Sequence, residues 1–287
     1  DDEGRIYGAY EDGSIIRYSA SGENLGVFAN TKGRPLGLDF DSAGNLIIAD
    51  ANKGLLQADK NGNIRILATE INGTPLRFTD DVDIGPNGVI YFSDASEKFG
   101  INNYREDLFE HRPHGKILSY DPTMDKLTTL LDSLYFANGV AVEPNGNFLL
   151  FNETATYEVS KLWLKGPKAG TREKIIINLP GFPDGISTGS NGIYWIAIAS
   201  TRNAVVDGLA GKPFWRKIIM RLPLFMQPAP VRHGFVLGID GKGNVIHNLQ
   251  YPDLESYSPI TSVEEENGVL YLGSLTYPGL ARIKRPQ

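Results

Sequence analysis

Asp80-Asp81-Val82-Asp83-Ile84-Gly85-Pro86-Asn87-Gly88-Val89-Ile90-Tyr91 contains one unit of a repeat. A short apolar run, Val82-Asp83-Ile84, leads into a tight Asn-Gly turn, and the turn opens an apolar strand. Glu3-Gly4-Arg5-Ile6-Tyr7, Ala43-Gly44-Asn45-Leu46-Ile47, Asn145-Gly146-Asn147-Phe148-Leu149, Asn191-Gly192-Ile193-Tyr194-Trp195 and Asn267-Gly268-Val269-Leu270-Tyr271 are variants of the same device. Successive turn glycines lie 40, 44, 58, 46 and 76 residues apart. A four-stranded propeller blade needs roughly 40 to 50 residues, so the spacing predicts an all-β chain, a six-bladed β-propeller around a central channel. The runs before each turn, such as Leu36-Gly37-Leu38-Asp39-Phe40 and Val140-Ala141-Val142, are the expected innermost strands.

The turn also serves as a ruler for function. Asp80, Asn138 and Asp184 each lie eight positions before a turn glycine, at Gly88, Gly146 and Gly192. Equal offset in successive blades places three oxygen-bearing side chains around one axis, and converging oxygens suit a hard cation such as calcium. Two carboxylates match its charge, and three ligands leave coordination open for water and substrate. The chemistry that follows is hydrolysis of an ester or lactone, with Asp184 the first candidate base or nucleophile and Asp80 the second. An Asp or Asn taken singly is more often a turn former.

Composition narrows the remaining classes. The 287 residues include 32 Gly, 17 Pro and no Cys, and almost no stretch has helical periodicity; the reading is a single propeller domain over 1–287. Without Cys there are no disulfides, zinc-thiolate sites or thiol nucleophiles. A net charge of -6 without a basic stripe argues against a nucleic-acid partner. No apolar run reaches the roughly 18 residues needed to cross a bilayer. The chain as given reads as soluble, and a secreted or periplasmic location fits if a signal segment has been removed. Only Asp1, Asp2 and Glu3 precede the Gly4 turn, so the first blade is expected to lack its inner strand and the parent chain to begin earlier.

Residues about 200–233 break the repeat within blade five. Pro213 suits a helix start, and Trp215, Ile218, Ile219 and Leu222 fall at the spacing of one helical face. The expectation is a short helix packed on the end of the propeller. A lid over the channel mouth, or a membrane-surface contact through Trp215, Phe225 and Met226 with nearby basic residues, is compatible with that packing. If this insertion lines the channel mouth, the substrate is hydrophobic.

Ile48-Ala49-Asp50-Ala51-Asn52-Lys53-Gly54-Leu55, Tyr91-Phe92-Ser93-Asp94-Ala95-Ser96, Phe136-Ala137-Asn138-Gly139-Val140 and Leu179-Pro180-Gly181-Phe182-Pro183-Asp184 carry a resemblance. Together they resemble the strictosidine synthase-like family, of the adipocyte plasma membrane-associated protein type. That family is similar in turn to the calcium-dependent six-bladed propellers that include paraoxonases and gluconolactonases. The resemblance implies a channel metal held at Asp80, Asn138 and Asp184. It also implies departures: Gly185 stands where many relatives have Asn, Leu36 where paraoxonases have a central His, and a channel Glu would precede Asp1. Amine-aldehyde condensation of the Pictet-Spengler type is the alternative activity. The resemblance puts its essential Glu at Thr261, where a hydroxyl cannot deprotonate an ammonium, and Glu264 to Glu266 are expected to lie toward the turn. A non-catalytic binding scaffold is the third reading, since a fold does not dictate a function.

Overall fold

Leu46-Ile47-Ile48-Ala49-Asp50 is buried along its whole length. A strand alternates its side chains between two faces, and here each face meets a different neighbour. Leu46 and Ile48 pack with Ile15 and Ala29 of the preceding blade, whereas Ile47 and Ala49 pack with Val82 and Phe92 of the following one. Continuous apolar strands of this kind need sheets stacked on both sides, and a ring of blades supplies them.

The computed structural model describes residues 1–253 and 255–286. Six antiparallel sheets follow one another along the chain, with a two-stranded ribbon at Glu70–Ile71 and Thr74–Pro75. Blades two to five have four strands each, spanning 35–68, 79–134, 137–176 and 181–251. Blades one and six have three described strands, spanning 6–30 and 262–284. The first strand of blade one, Ile6–Ala9, follows its Gly4 turn as Leu46–Asp50 follows Gly44, and so takes the second place in its blade. Blade six reaches back to blade one through Arg282, whose Nη1 donates to the Ala20 carbonyl at 3.0 Å.

All six turn glycines have φ between 68° and 77°, the left-handed region in which a Cβ is costly. The core lies between the blades. Buried apolar clusters fill the junctions from blade one to blade six in sequence, and a further cluster of Ala51, Phe78, Ala95, Phe136 and Ala155 caps one end. At their inner edges the blades are joined by side chains. Asp39 accepts from the Ile84 N–H at 2.9 Å, Asp81 from Val140 at 2.9 Å and Asp83 from Val142 at 2.6 Å. Each carboxylate occupies a backbone donor that the sheet edge would otherwise leave open.

The helices differ from the sequence expectation. α1 (Tyr104–Glu110) lies inside blade three, where no helical pattern was visible; α2 (Ala204–Gly208) and α3 (Pro213–Met220) lie in the expected insertion. In α3 the expected apolar face is packed in part: Ile218, Ile219 and Leu222 are half-buried, whereas Trp215 is 55% exposed. Arg216 is only 9% exposed, and α3 packs against α1. Phe225 and Met226 are likewise exposed. No described helix is long and apolar enough to cross a membrane.

Candidate functional site

The inner strands of blades two to five share an irregularity. Pairing slips by one residue between Pro35 and Leu38, Thr79 and Val82, Ala137 and Val140, and Pro183 and Ile186. Each slip is a β-bulge, which adds one residue and re-aims a side chain. The bulged positions are Leu36, Asp80, Asn138 and Asp184, each eight residues before its turn glycine. The shared offset in the sequence is therefore a shared bulge in the fold.

The residue after the bulge faces the next blade at close range. A Cβ on Gly139 would lie 2.3 Å from the Ile186 nitrogen, and one on Gly185 would lie 2.8 Å from the Thr261 carbonyl. Only glycine permits this approach, which allows the Gly185 N–H to donate to Thr261 O at 2.9 Å. In blade three the same place holds Asp81, which bridges to blade four through its carboxylate. The bulge of blade five is held from blade four as well: Asn152 Nδ2 donates to Asp184 O at 2.6 Å and Thr154 Oγ1 to Pro183 O at 2.7 Å.

Asp80, Asn138 and Asp184 all line one channel cavity of about 2260 Å³, and the three are brought together. Burial raises the Asp80 carboxyl well above its ordinary range, and the Asp184 charge raises it further. Burial pushes Asp184 up to about 7, opposed by the Asn138 side chain, which favours its charged form. Two carboxylates that disfavour each other's ionisation form the environment that a cation relieves. Among the described residues no group of three or more His, Cys, Asp or Glu is placed to hold a metal. The donor set here is two carboxylates and one amide, all oxygen, which fits a hard cation.

Thr261 lines the same cavity, and its backbone serves the blade junction. Glu264 corrects the expectation that residues 264–266 point toward the turn. Glu264 and Glu266 both line the channel, whereas Glu265 is turned between blades to accept from Trp195 Nε1 at 2.6 Å. The reason is alternation: Val263 is buried against Trp195 and Ala197 of the preceding blade, so its neighbours on the strand face away from that blade. Glu264 thereby takes the same rung as Asp39 and Asp83. Burial within the ring, followed by the charges of Asp83, Asp39 and Asp81, raises its carboxyl.

Sequence reasoning missed this rung of carboxylates, although a signal existed, since Asp39 and Asp83 both lie five residues before their turn glycines. It also missed α1 at the mouth, although it placed the 200–233 insertion there as one reading. Thr79 pairs with Asp94 and Gly181 with Thr201. The connection carrying α1 and the one carrying α2 and α3 therefore leave the blades at the end where the bulges lie. His111, just after α1, lines the cavity together with Arg216 of α3.

Comparison with known proteins agrees with this architecture. Residues 80–167 match the family model described as strictosidine synthase. The chain is 37% identical to Protein STRICTOSIDINE SYNTHASE-LIKE 10 of Arabidopsis thaliana over 86% of its own length and 68% of that protein. It is 33% identical to the adipocyte plasma membrane-associated protein of Rattus norvegicus, over 88% of this chain and 70% of that one. Among solved structures, a gluconolactonase from Xanthomonas campestris superposes with a TM-score of 0.71 at 14% identity, covering 99% of this chain and 83% of its own. A calcium-binding regucalcin from Agrobacterium tumefaciens does so at 0.64 and 16%, covering 96% and 80%. The last two likenesses speak for the fold. These relatives, each more than 30% identical over more than four fifths of the chain, together with the matched family model, establish that the chain belongs to the strictosidine synthase-like family.

Proposed function

We propose that this propeller is a calcium-dependent hydrolase of small hydrophobic esters or lactones, working at the bulge end of its channel. The observation that supports it most is the meeting of Asp80, Asn138 and Asp184 at equivalent bulges of three successive blades. The residues that would hold the cation are these three. When bound, it supplies Lewis-acid polarisation of the scissile carbonyl.

The rest of the chemistry belongs to the chain. Asp184, whose carboxylate lines the channel with Asp80 and Asn138, is placed to take a proton from an attacking water. Asn138 cannot ionise, and its amide keeps the water and the carboxylate in register. The blade-four contacts to the Pro183 and Asp184 carbonyls fix the base in place. The family's founding reaction, amine-aldehyde condensation, is the second reading: Thr261 offers a hydroxyl where the resemblance puts the essential carboxylate, and on the strand that follows it Glu264 and Glu266 are the carboxylates that line the channel.

The test is a panel of lactones and aryl esters, assayed with calcium and after chelation. Asp184→Asn should lower kcat/KM by about 10²-fold or more, since it removes both a base and a charge, whereas Thr261→Ala should change it by less than about threefold. Full turnover in Asp184→Asn, or condensation of an amine with an aldehyde by the unmodified protein, refutes the assignment.

A further inference from the structure

Arg216 is an anomaly. It is 91% buried, lines the channel cavity, and its side chain makes neither a hydrogen bond nor an ion pair with any other described residue. Its Nε has no partner and no contact with solvent. Charged side chains are almost never fully buried unless paired, and a guanidinium presents five donors in a fixed fork.

The neighbouring helix has carboxylates that could have served, and each is committed elsewhere. Glu106 accepts from Asn103 Nδ2 at 3.1 Å, Asp107 from Ser96 Oγ, and Glu110 from Lys98 Nζ at 2.6 Å. Other arginines lining the cavity show what a satisfied one looks like. Arg202 pairs with Asp207 at 2.9 Å, and Arg232 Nη2 donates to the Tyr277 hydroxyl at 2.6 Å. The guanidinium of Arg216 is depressed by burial, with no carboxylate opposing that effect. The charged group nearest in influence to His111 is Arg216 itself, so the two present a cation and an imidazole to the same cavity.

We infer that Arg216, with His111 beside it, is an anion subsite at the channel mouth that receives a carboxylate or phosphate group of the substrate. A carboxylate or phosphate can take two parallel charge-assisted hydrogen bonds from a guanidinium, each roughly twice as strong as a neutral one. This deepens the hydrolase reading and rests on it only for the shared cavity: the preferred ester or lactone carries an anionic group on the part that does not react. The burial of the arginine makes such recognition selective, since a neutral analogue leaves it unpaired.

The experiment measures binding without turnover. Calorimetry with benzoate, phenyl phosphate and benzyl alcohol is run on the full chain, on Arg216→Met, on Arg216→Lys and on Lys217→Met, an exposed control in the same helix. The wild type is expected to bind at least one of the two anions at least tenfold more tightly than benzyl alcohol, and the ratio of the two shows whether carboxylate or phosphate is preferred. Arg216→Met should lose that advantage, Arg216→Lys should keep part of it, and Lys217→Met should match the wild type. Ligand-free Arg216→Met should melt at or above the wild-type temperature, because an unpaired buried charge has been removed. Equal binding of both anions and the alcohol by the wild type overturns the inference. So does undiminished anion binding by Arg216→Met, or a lower melting temperature in that variant, which would reveal a structural partner. Anion binding lost in Arg216→Met but without turnover of any ester leaves the subsite standing and refutes the hydrolase reading alone.

Discussion

Gly139→Ala tests whether the bulges set the site. The new Cβ would lie 2.3 Å from Ile186 N, 2.6 Å from Asp184 O and 2.7 Å from the Gly185 carbonyl carbon. All three are backbone atoms, and their bulge is held by Asn152, Thr154 and the Thr261 carbonyl, so none can swing aside as a side chain tip would. Ordinary contact begins near 3.5 Å, so blades four and five must part by about 1 Å. Overpacking of this kind costs about 1–3 kcal/mol, which for a chain of this size lowers Tm by roughly 2–12 °C. The functional effect should be larger than the thermal one. Asn138 and Asp184 move apart on either side of the wedge, and a 1 Å misplacement is worth about 10²-fold in rate. Gly208→Ala is the control. Gly208 lies in α2 with open space around it and no positive φ, so alanine there should stabilise by about 0.4–1 kcal/mol. Differential scanning fluorimetry and the ester panel read both variants. Wild-type Tm and wild-type turnover in Gly139→Ala would show that the close approach of the two bulges does not position the site.

Three further outcomes follow from particular residues. Chelation should lower Tm, and calcium at a hundredfold excess over its Kd should restore roughly 5–11 °C; identical melts with and without the ion count against the metal. Burial pushes Asp94 up to about 7 and Asp107 up to about 6. From about pH 4 up to those values the folded state holds protons that the unfolded chain has released, so chelated protein should lose stability as pH rises from 4 to 7. A urea midpoint that is flat or rises with pH refutes this, and Asp94→Asn should flatten the slope. Trp215, Phe225 and Met226 are 55%, 87% and 55% exposed in a segment that also carries Lys212, Lys217 and Arg221. The chain is expected to float with vesicles containing anionic phospholipid, less so in high salt and less so when the three are changed to Ser; no flotation at low salt excludes a lipid contact there.

What the sequence disclosed and what it concealed follow from how each feature is encoded. The propeller was legible because its turn is specified locally: a left-handed glycine must recur wherever the turn does, as at Gly44, Gly88 and Gly146. The triad was legible because a bulge adds the same single residue to each inner strand and so preserves the count to that glycine. The bulge itself could not be read, since two residues facing one is a property of a strand pair. In blade six the ruler shifts, because Asn267-Gly268 closes a two-residue hairpin from Glu266 to Val269, whereas five residues separate Ile84 from Ile90. Three consecutive glutamates before that hairpin gave no contrast from which to read alternation, and only the packing of Val263 decides that Glu264 faces the channel. α1 is seven residues long with Asp107 and Phe109 buried, two positions apart, so it has no helical stripe to detect. Arg216 is the furthest case. Hydrophobicity ranks Trp215 for burial and Arg216 for solvent, and the fold reverses them. Periodicity can say which side chains share an environment but not that one of those environments is a cavity where a buried charge awaits its counter-ion. A residue placed against its own hydrophobic rank is therefore where the structure adds most to the reading, and the anion-binding experiment is aimed at that residue.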